Sequence, residues 1–128
     1  MTKQYKLTLS EAQAKIVAKA CEFYARIGYG QYREILWNFL DWKKDDALER
    51  SEEAEKLLYE ARAKVYPELG AHIGKSYGIG HFDHMDRAYD VYQVLRYAFE
   101  KEDGDEKFWH EPFSLLNEDF AKCEVEER

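Results

Sequence analysis

Seven consecutive positions, Ser76, Tyr77, Gly78, Ile79, Gly80, His81 and Phe82, place aromatic rings and glycines on one stretch of chain, ahead of a helix that carries Arg87 and Arg96. Rings on a glycine loop can stack on a nucleobase, arginines offer forked donors to phosphate, and a helix start exposes free amides. An adenine or ribose-phosphate ligand would find every group it needs there. The duller account is that Tyr77 and Phe82 plug the loop into the core, while Arg87 pairs with Asp83 or Asp90 at helical spacing.

The remaining clusters carry less chemistry. His81, Asp83, His84 and Asp86 are potential metal ligands at a helix start, with His72 and His110 elsewhere. A metal site needs three or four converging ligands, and no matching motif lies upstream. Helix capping by Asp83 or Asp86 explains the same residues, so no metal and no other cofactor is expected. Gly70-Ala-His-Ile-Gly74-Lys75-Ser76 looks like a phosphate-binding loop, but it has three residues between its glycines where the motif needs four. A helix and Pro67 precede it, where such a loop follows a strand. Glu49 with Glu52, and Glu100 with Asp103, resemble the acidic pairs by which helical nucleotide pyrophosphohydrolases hold magnesium. The second pair sits where its helix is ending. Cys21 lies on or beside an apolar stripe and reads as a packed small hydrophobe, so no nucleophile and no catalytic residue is assigned.

Four helices must position these residues. Ser10 and Gln13 form a capping-box pattern, after which Ala12, Ile16, Ala20, Phe23, Tyr24 and Ile27 fall on one helical face that Gly28 ends. A second helix, from about Gln31 to Lys43, keeps Tyr32, Ile35, Leu36, Phe39 and Leu40 at helical spacing and adds Trp37 and Trp42. A third runs from Asp45 to Val65 with Leu48, Leu58, Ala61 and Val65 apolar, closed by Pro67. Four of the seven glycines fall between Gly70 and Gly80, which makes that stretch a loop. The last long helix carries Ala88, Val91, Tyr92, Leu95 and Phe99 as its stripe and leaves at Gly104. At the ends of the chain, Tyr5, Leu7 and Leu9, then Ala121, Cys123 and Val125, alternate with polar residues as strands do. The expected fold is therefore α+β and mostly α-helical: about four helices, with a short antiparallel sheet formed by the N- and C-terminal strands.

Composition bounds the rest. At 128 residues, 45% hydrophobic and 35% charged, the chain suits a single domain spanning 1–128 and excludes disorder. Residues 100–128 hold eleven acidic and four basic side chains, so this C-terminal segment, ending in the expected strand, carries the whole net charge of −7. That balance argues against sequence-specific or nonspecific nucleic-acid binding. No apolar leader and no stretch long enough for a bilayer is present, so a cytoplasmic protein without membrane contact, its Cys21 and Cys123 reduced, is expected. A two-stranded ribbon is marginal alone, and the tryptophan-bearing helix would expose apolar surface. Both argue for a homo-oligomer, a dimer or higher.

The chain also resembles small proteins of phages and prophages of Gram-positive bacteria. The likeness runs through Gln13-Ala14, Tyr24-Ala-Arg26-Ile27, Gly30-Gln31-Tyr32 with Glu34-Ile35, Ser76-Tyr77-Gly78-Ile79, the run from Ala88 to Arg96, and Glu111-Pro112. Within that group it is most similar to the Thoeris anti-defence proteins, which sequester cyclic ADP-ribose signals made by bacterial TIR enzymes. The resemblance implies an oligomeric, non-enzymatic sponge that binds a cyclic nucleotide without cleaving it, with Arg26, Phe82, Arg87 and Arg96 as carried-over contacts. With the loop residues, the candidate ligand-binding set is Arg26, Gln31, Ser76, Tyr77, His81, Phe82, Arg87 and Arg96. Two alternatives stay open: an inhibitor that presses an acidic or aromatic surface onto a host or defence protein, and a metal-dependent nucleotide hydrolase.

Overall fold

The computed structural model describes residues 3–72, 74–104, 111–116, 118 and 121–127. Within them the chain forms four helices: α1 (Glu11–Gly28), α2 (Glu34–Phe39), α3 (Ala47–Val65) and α4 (Asp83–Asp103). The capping box sets the start of α1, with the Gln13 amide donating to Ser10 Oγ at 3.2 Å and the Ser10 amide donating to Gln13 Oε1 at 3.0 Å.

The face by which α1 packs is not the one that carries its large apolar residues. Ala18, Ala25 and Gly28 are buried, and Ala14 and Cys21 half-buried, at alternating steps of four and three residues that keep them on one side of a helix. Against this seam of small side chains α4 lies antiparallel, with Met85 at Gly28 and the Phe99 ring 5.9 Å from Lys15 Nζ. The approach is close enough that a Cβ on Gly28 would meet Met85 Cε at 2.1 Å and Cγ at 2.3 Å. Of the expected stripe, Ala12, Ile16 and Ala20 are exposed and Phe23 and Ile27 half-buried, while Tyr24, 51% exposed, lies at the edge of the α4 contact with its ring 6.2 Å from His84.

The second helix is much shorter than expected. It occupies Glu34–Phe39 because Leu40 is extended and the Trp42 indole folds back to donate to the Leu36 carbonyl at 3.1 Å, closing the turn. Arg33 ties it to α3 through two donors to the Glu55 carboxylate, at 3.1 and 2.9 Å. In α3 the buried residues are Ala47, Ser51, Tyr59 and Arg62, whereas Leu48 and Val65, expected on the apolar side, are exposed. Tyr66 then leaves the helix ahead of Pro67, as the residue before proline must.

The expected antiparallel sheet does not form. Among the described residues there is no strand, and the fold class is all-helical, not α+β. Residues 3–9 form no regular element, and Tyr5 is 91% exposed, so their alternation meets no buried face. In residues 121–127 the period of two turns toward a helix instead: Ala121, Cys123 and Val125 line one groove with Val94, Tyr97 and Ala98 of α4. A pair of short strands gains too little by itself to compete with that arrangement. No helix among the described residues is long and apolar enough to cross a membrane.

Candidate functional site

The glycine loop between α3 and α4 is held by a buried cation. Arg62 is fully buried and makes no ion pair among the described residues. Its guanidinium donates to the carbonyls of Gly30, Lys75 and His72 at 2.8, 2.6 and 2.5 Å, and it lies 4.4 Å from the centre of the Tyr59 ring. Three carbonyl dipoles and an aromatic face thus stand in for a carboxylate, and the two ends of 72–75 are drawn onto the α1–α2 turn. Gly30, at φ +92°, can supply its carbonyl because it has no side chain: a Cβ there would meet Leu69 at 2.8 Å.

A second clamp comes from the start of α4. Asp86, 1% exposed, accepts from the Tyr29 hydroxyl with one oxygen and from the Gly80 amide, at 3.0 Å, with the other. Burial and the Asp86 carboxylate together push the Tyr29 hydroxyl far above its ordinary range. Neither Asp83 nor Asp86 caps α4, because Phe82 occupies the N-cap position without a side-chain bond and Asp86 points back into the loop. Asp86 is for the same reason turned away from any ligand set with His81, Asp83 and His84. No group of three or more His, Cys, Asp or Glu side chains placed to hold a metal occurs among the described residues. His110 lies outside them. Asp90, one turn beyond Asp86, accepts from the Leu115 amide at 3.1 Å and anchors the C-terminal segment.

These clamps gather four of the eight candidate residues on one loop. Tyr77 joins α1 through its amide, which donates to the Tyr29 carbonyl at 2.7 Å, and its hydroxyl donates to Glu68. Its ring lies 5.0 Å from His81, 5.0 Å from Phe82 and 5.3 Å from Tyr66, while Phe82 stacks on Tyr66 with 22° between planes. Tyr77 and Phe82 are half-buried against Ala25, Tyr29 and Met85, so both rings also plug the loop into the core. His81 and Ser76 are exposed beside them. The result is a built aromatic patch, directly ahead of the α4 N-terminus, with a rim open to a ligand.

The arginines are distributed otherwise. Arg26 donates to Gln31 Oε1 at 3.1 Å and sits 3.5 Å from Glu22 and 3.9 Å from Glu34. Glu22 also accepts from Tyr92, whose hydroxyl burial and this bond push up to about 12. Arg96 lies 5.7 Å from the Tyr92 ring and 3.4 Å from Glu100, so Gln31, Arg26, Glu22, Tyr92, Arg96 and Glu100 form one polar chain across the α1–α4 boundary. Fourteen residues of helix separate Arg96 from Phe82, about 21 Å of rise, which is too far for one nucleotide to touch both. Arg87 is elsewhere again, held by both oxygens of Glu118 at 2.7 and 3.0 Å. That pair holds the Glu118 carboxyl below its ordinary range.

Arg62, Tyr29 and Tyr66 were not among the residues singled out from sequence. The sole cue to Arg62 is its setting in Ala61-Arg62-Ala63, where small neighbours let another backbone approach. The phosphate-loop likeness fails in space as well as in spacing, since the Gly74 and Lys75 amides donate to His72 within their own loop. A groove of about 610 Å³ lies elsewhere, between the far half of α4 and the C-terminal segment. Its charged lining is Lys101, Glu102 and Glu111, an acidic excess that suits no polyphosphate. Compared with known proteins, the chain matches no family model, no curated protein and no solved structure.

Proposed function

We propose that this chain is a non-enzymatic binding protein of the phage anti-defence kind, which takes up a cyclic nucleotide immune signal, a cyclic ADP-ribose isomer, and sequesters it without cleavage. The observation that carries this reading is the aromatic patch of Tyr66, Tyr77, His81 and Phe82, preassembled at a helix N-terminus. Preassembled rings offer a base a stacking surface at little ordering cost, and the first amides of α4 offer donors to phosphate. Arg87 would complete the phosphate site by exchanging Glu118 for a ligand anion. That exchange is feasible because the pair is half-exposed, where such bridges contribute little.

A second reading has its own support. Each described arginine other than Arg62 is in an ion pair, while Trp37, Phe39 and Trp42 are exposed, as suits a surface that docks on a protein. One experiment separates the two readings and the hydrolase alternative. The protein is incubated with the product of an activated TIR enzyme, filtered, and heat-denatured, and both fractions are assayed for nucleotide. Intact nucleotide released by heat is the expected result. Its conversion would indicate an enzyme, and its free passage through the filter would overturn the sponge reading in favour of a protein partner.

A further inference from the structure

The described residues from Glu111 to Glu118 run back along α4. The Tyr97 hydroxyl donates to Glu111 at 3.3 Å, the Leu115 amide donates to both oxygens of Asp90 at 3.1 and 3.2 Å, and Arg87 donates to both oxygens of Glu118 at 2.7 and 3.0 Å. Tyr97, Asp90 and Arg87 follow each other at steps of seven and three residues, which keeps them on one side of the helix. The segment is therefore antiparallel to α4 and brings Glu118 within one turn of Asp83, the first residue of that helix, beside which the aromatic patch stands. What holds it is polar. Phe113, its largest side chain, is 60% exposed, Pro112, Leu115 and Leu116 are only half-buried, and the Arg87–Glu118 pair is half-exposed, so little apolar burial opposes detachment. The firm anchor is Asp90, which is 6% exposed.

We infer that residues 111–116 with Glu118 form an autoinhibitory strap: seated on Asp90, they keep the Glu118 carboxylate on Arg87, and a phosphate-bearing ligand gains that arginine only when the strap leaves α4. This rests on the nucleotide reading for the part that Arg87 plays, and it adds a control on that site. Glu118 offers Arg87 two parallel acceptors, as a phosphate does, so it fills the guanidinium fork in the manner of a ligand anion. Only three residues separate it from the Leu115 anchor, a tether short enough to hold the carboxylate at a high effective concentration, against which a free anion must compete. The apparent affinity of the chain then falls by the fraction of molecules whose strap is off, so that a fraction of about a tenth weakens binding about tenfold. Linkage makes the effect reciprocal: bound ligand must loosen the strap by the same factor.

Titration calorimetry with a cyclic ADP-ribose isomer, together with hydrogen exchange at the Leu115 amide, tests the strap on the full chain. The variants are Glu118→Gln and Leu115→Pro, their helical content first matched to the parent by circular dichroism. Leu115→Pro removes the amide that seats the strap on Asp90 while leaving every charge, Arg87 and the aromatic patch in place. Both variants should bind about three- to tenfold more tightly than the parent, and saturating nucleotide should speed exchange at Leu115 of the parent by a similar factor. Tighter binding by Glu118→Gln alone, with Leu115→Pro equal to the parent, would make Glu118 a local counter-ion and overturn the strap. So would exchange at Leu115 that nucleotide leaves unchanged or slows. If none of the three chains binds the nucleotide, the nucleotide reading fails separately, and exchange without ligand decides the strap: rates at Leu115 about threefold or more higher in Glu118→Gln than in the parent support a segment held jointly by Asp90 and Arg87, and equal rates overturn it.

Discussion

Arg62 holds the loop with a charge that no carboxylate among the described residues balances, so its removal strands three acceptors at once. Hydrogen bonds to charged groups contribute about 1.5–3 kcal/mol each, and Arg62→Met should therefore lower the stability by at least about 3 kcal/mol, read from urea unfolding. Arg62→Lys should recover little, since an ammonium lacks the fork that reaches the Gly30, Lys75 and His72 carbonyls together. A loss below about 1 kcal/mol in the methionine variant would contradict the clamp. Burial raises the Asp90 carboxyl above its ordinary value, against the opposing bonds from Leu115 and Ser114. The folded chain therefore holds this proton more tightly than the unfolded one. The stability it contributes is fully present below the ordinary carboxylate range and is lost as pH rises through the raised value. Melting temperatures of parent and Asp90→Asn, followed from acid to neutral pH, should diverge in that window, the parent falling relative to the variant; parallel curves would count against it. At the patch rim, His81→Ala should weaken nucleotide binding about tenfold, a loss of about 1.4 kcal/mol, without moving the melting temperature. Phe82→Ala should lower both, because the same ring stacks on Tyr66 and packs on Met85.

At the scale of elements, the small seam of α1 makes an unusual demand of one glycine. Alanine is the better helix former by about 1 kcal/mol, yet Gly28→Ala should destabilise the protein by about 1–3 kcal/mol, because the added methyl would collide with Met85 along its length. Thermal unfolding checks the sign, and a raised melting temperature would mean that the α1–α4 packing is looser than described. This seam also marks the limit of what could be read beforehand. Helix ends were legible where side chains set them locally, as Ser10 and Gln13 do for α1 and Pro67 does after α3. Which face packs was not. In α1 the large apolar residues outnumber the small ones in hydrophobic surface, so periodicity selects the wrong side, and in α3 the face that packs is centred on Arg62. The candidate loop was legible because its composition is local, with Ser76, Tyr77, His81 and Phe82 close together in sequence. The separation of Arg26, Arg87 and Arg96 was not, because it depends on pairings with Glu34, Glu118 and Glu100 that composition does not fix.

Across the whole molecule, the candidate arginines are spread beyond the reach of one ligand. A ligand held chiefly by the loop patch does not require them to come together. Of the acidic residues in 100–128, Glu118 pairs with Arg87 through both oxygens, so an anionic ligand must displace that partner. Calorimetric titration of the full chain with a cyclic ADP-ribose isomer, beside His81→Ala, is the most direct measurement of whether it does. The expected result is saturable binding by the parent and about tenfold weaker binding by the variant. Titration of the folded parent without heat of binding at millimolar nucleotide, at two temperatures, would contradict the nucleotide-binding reading.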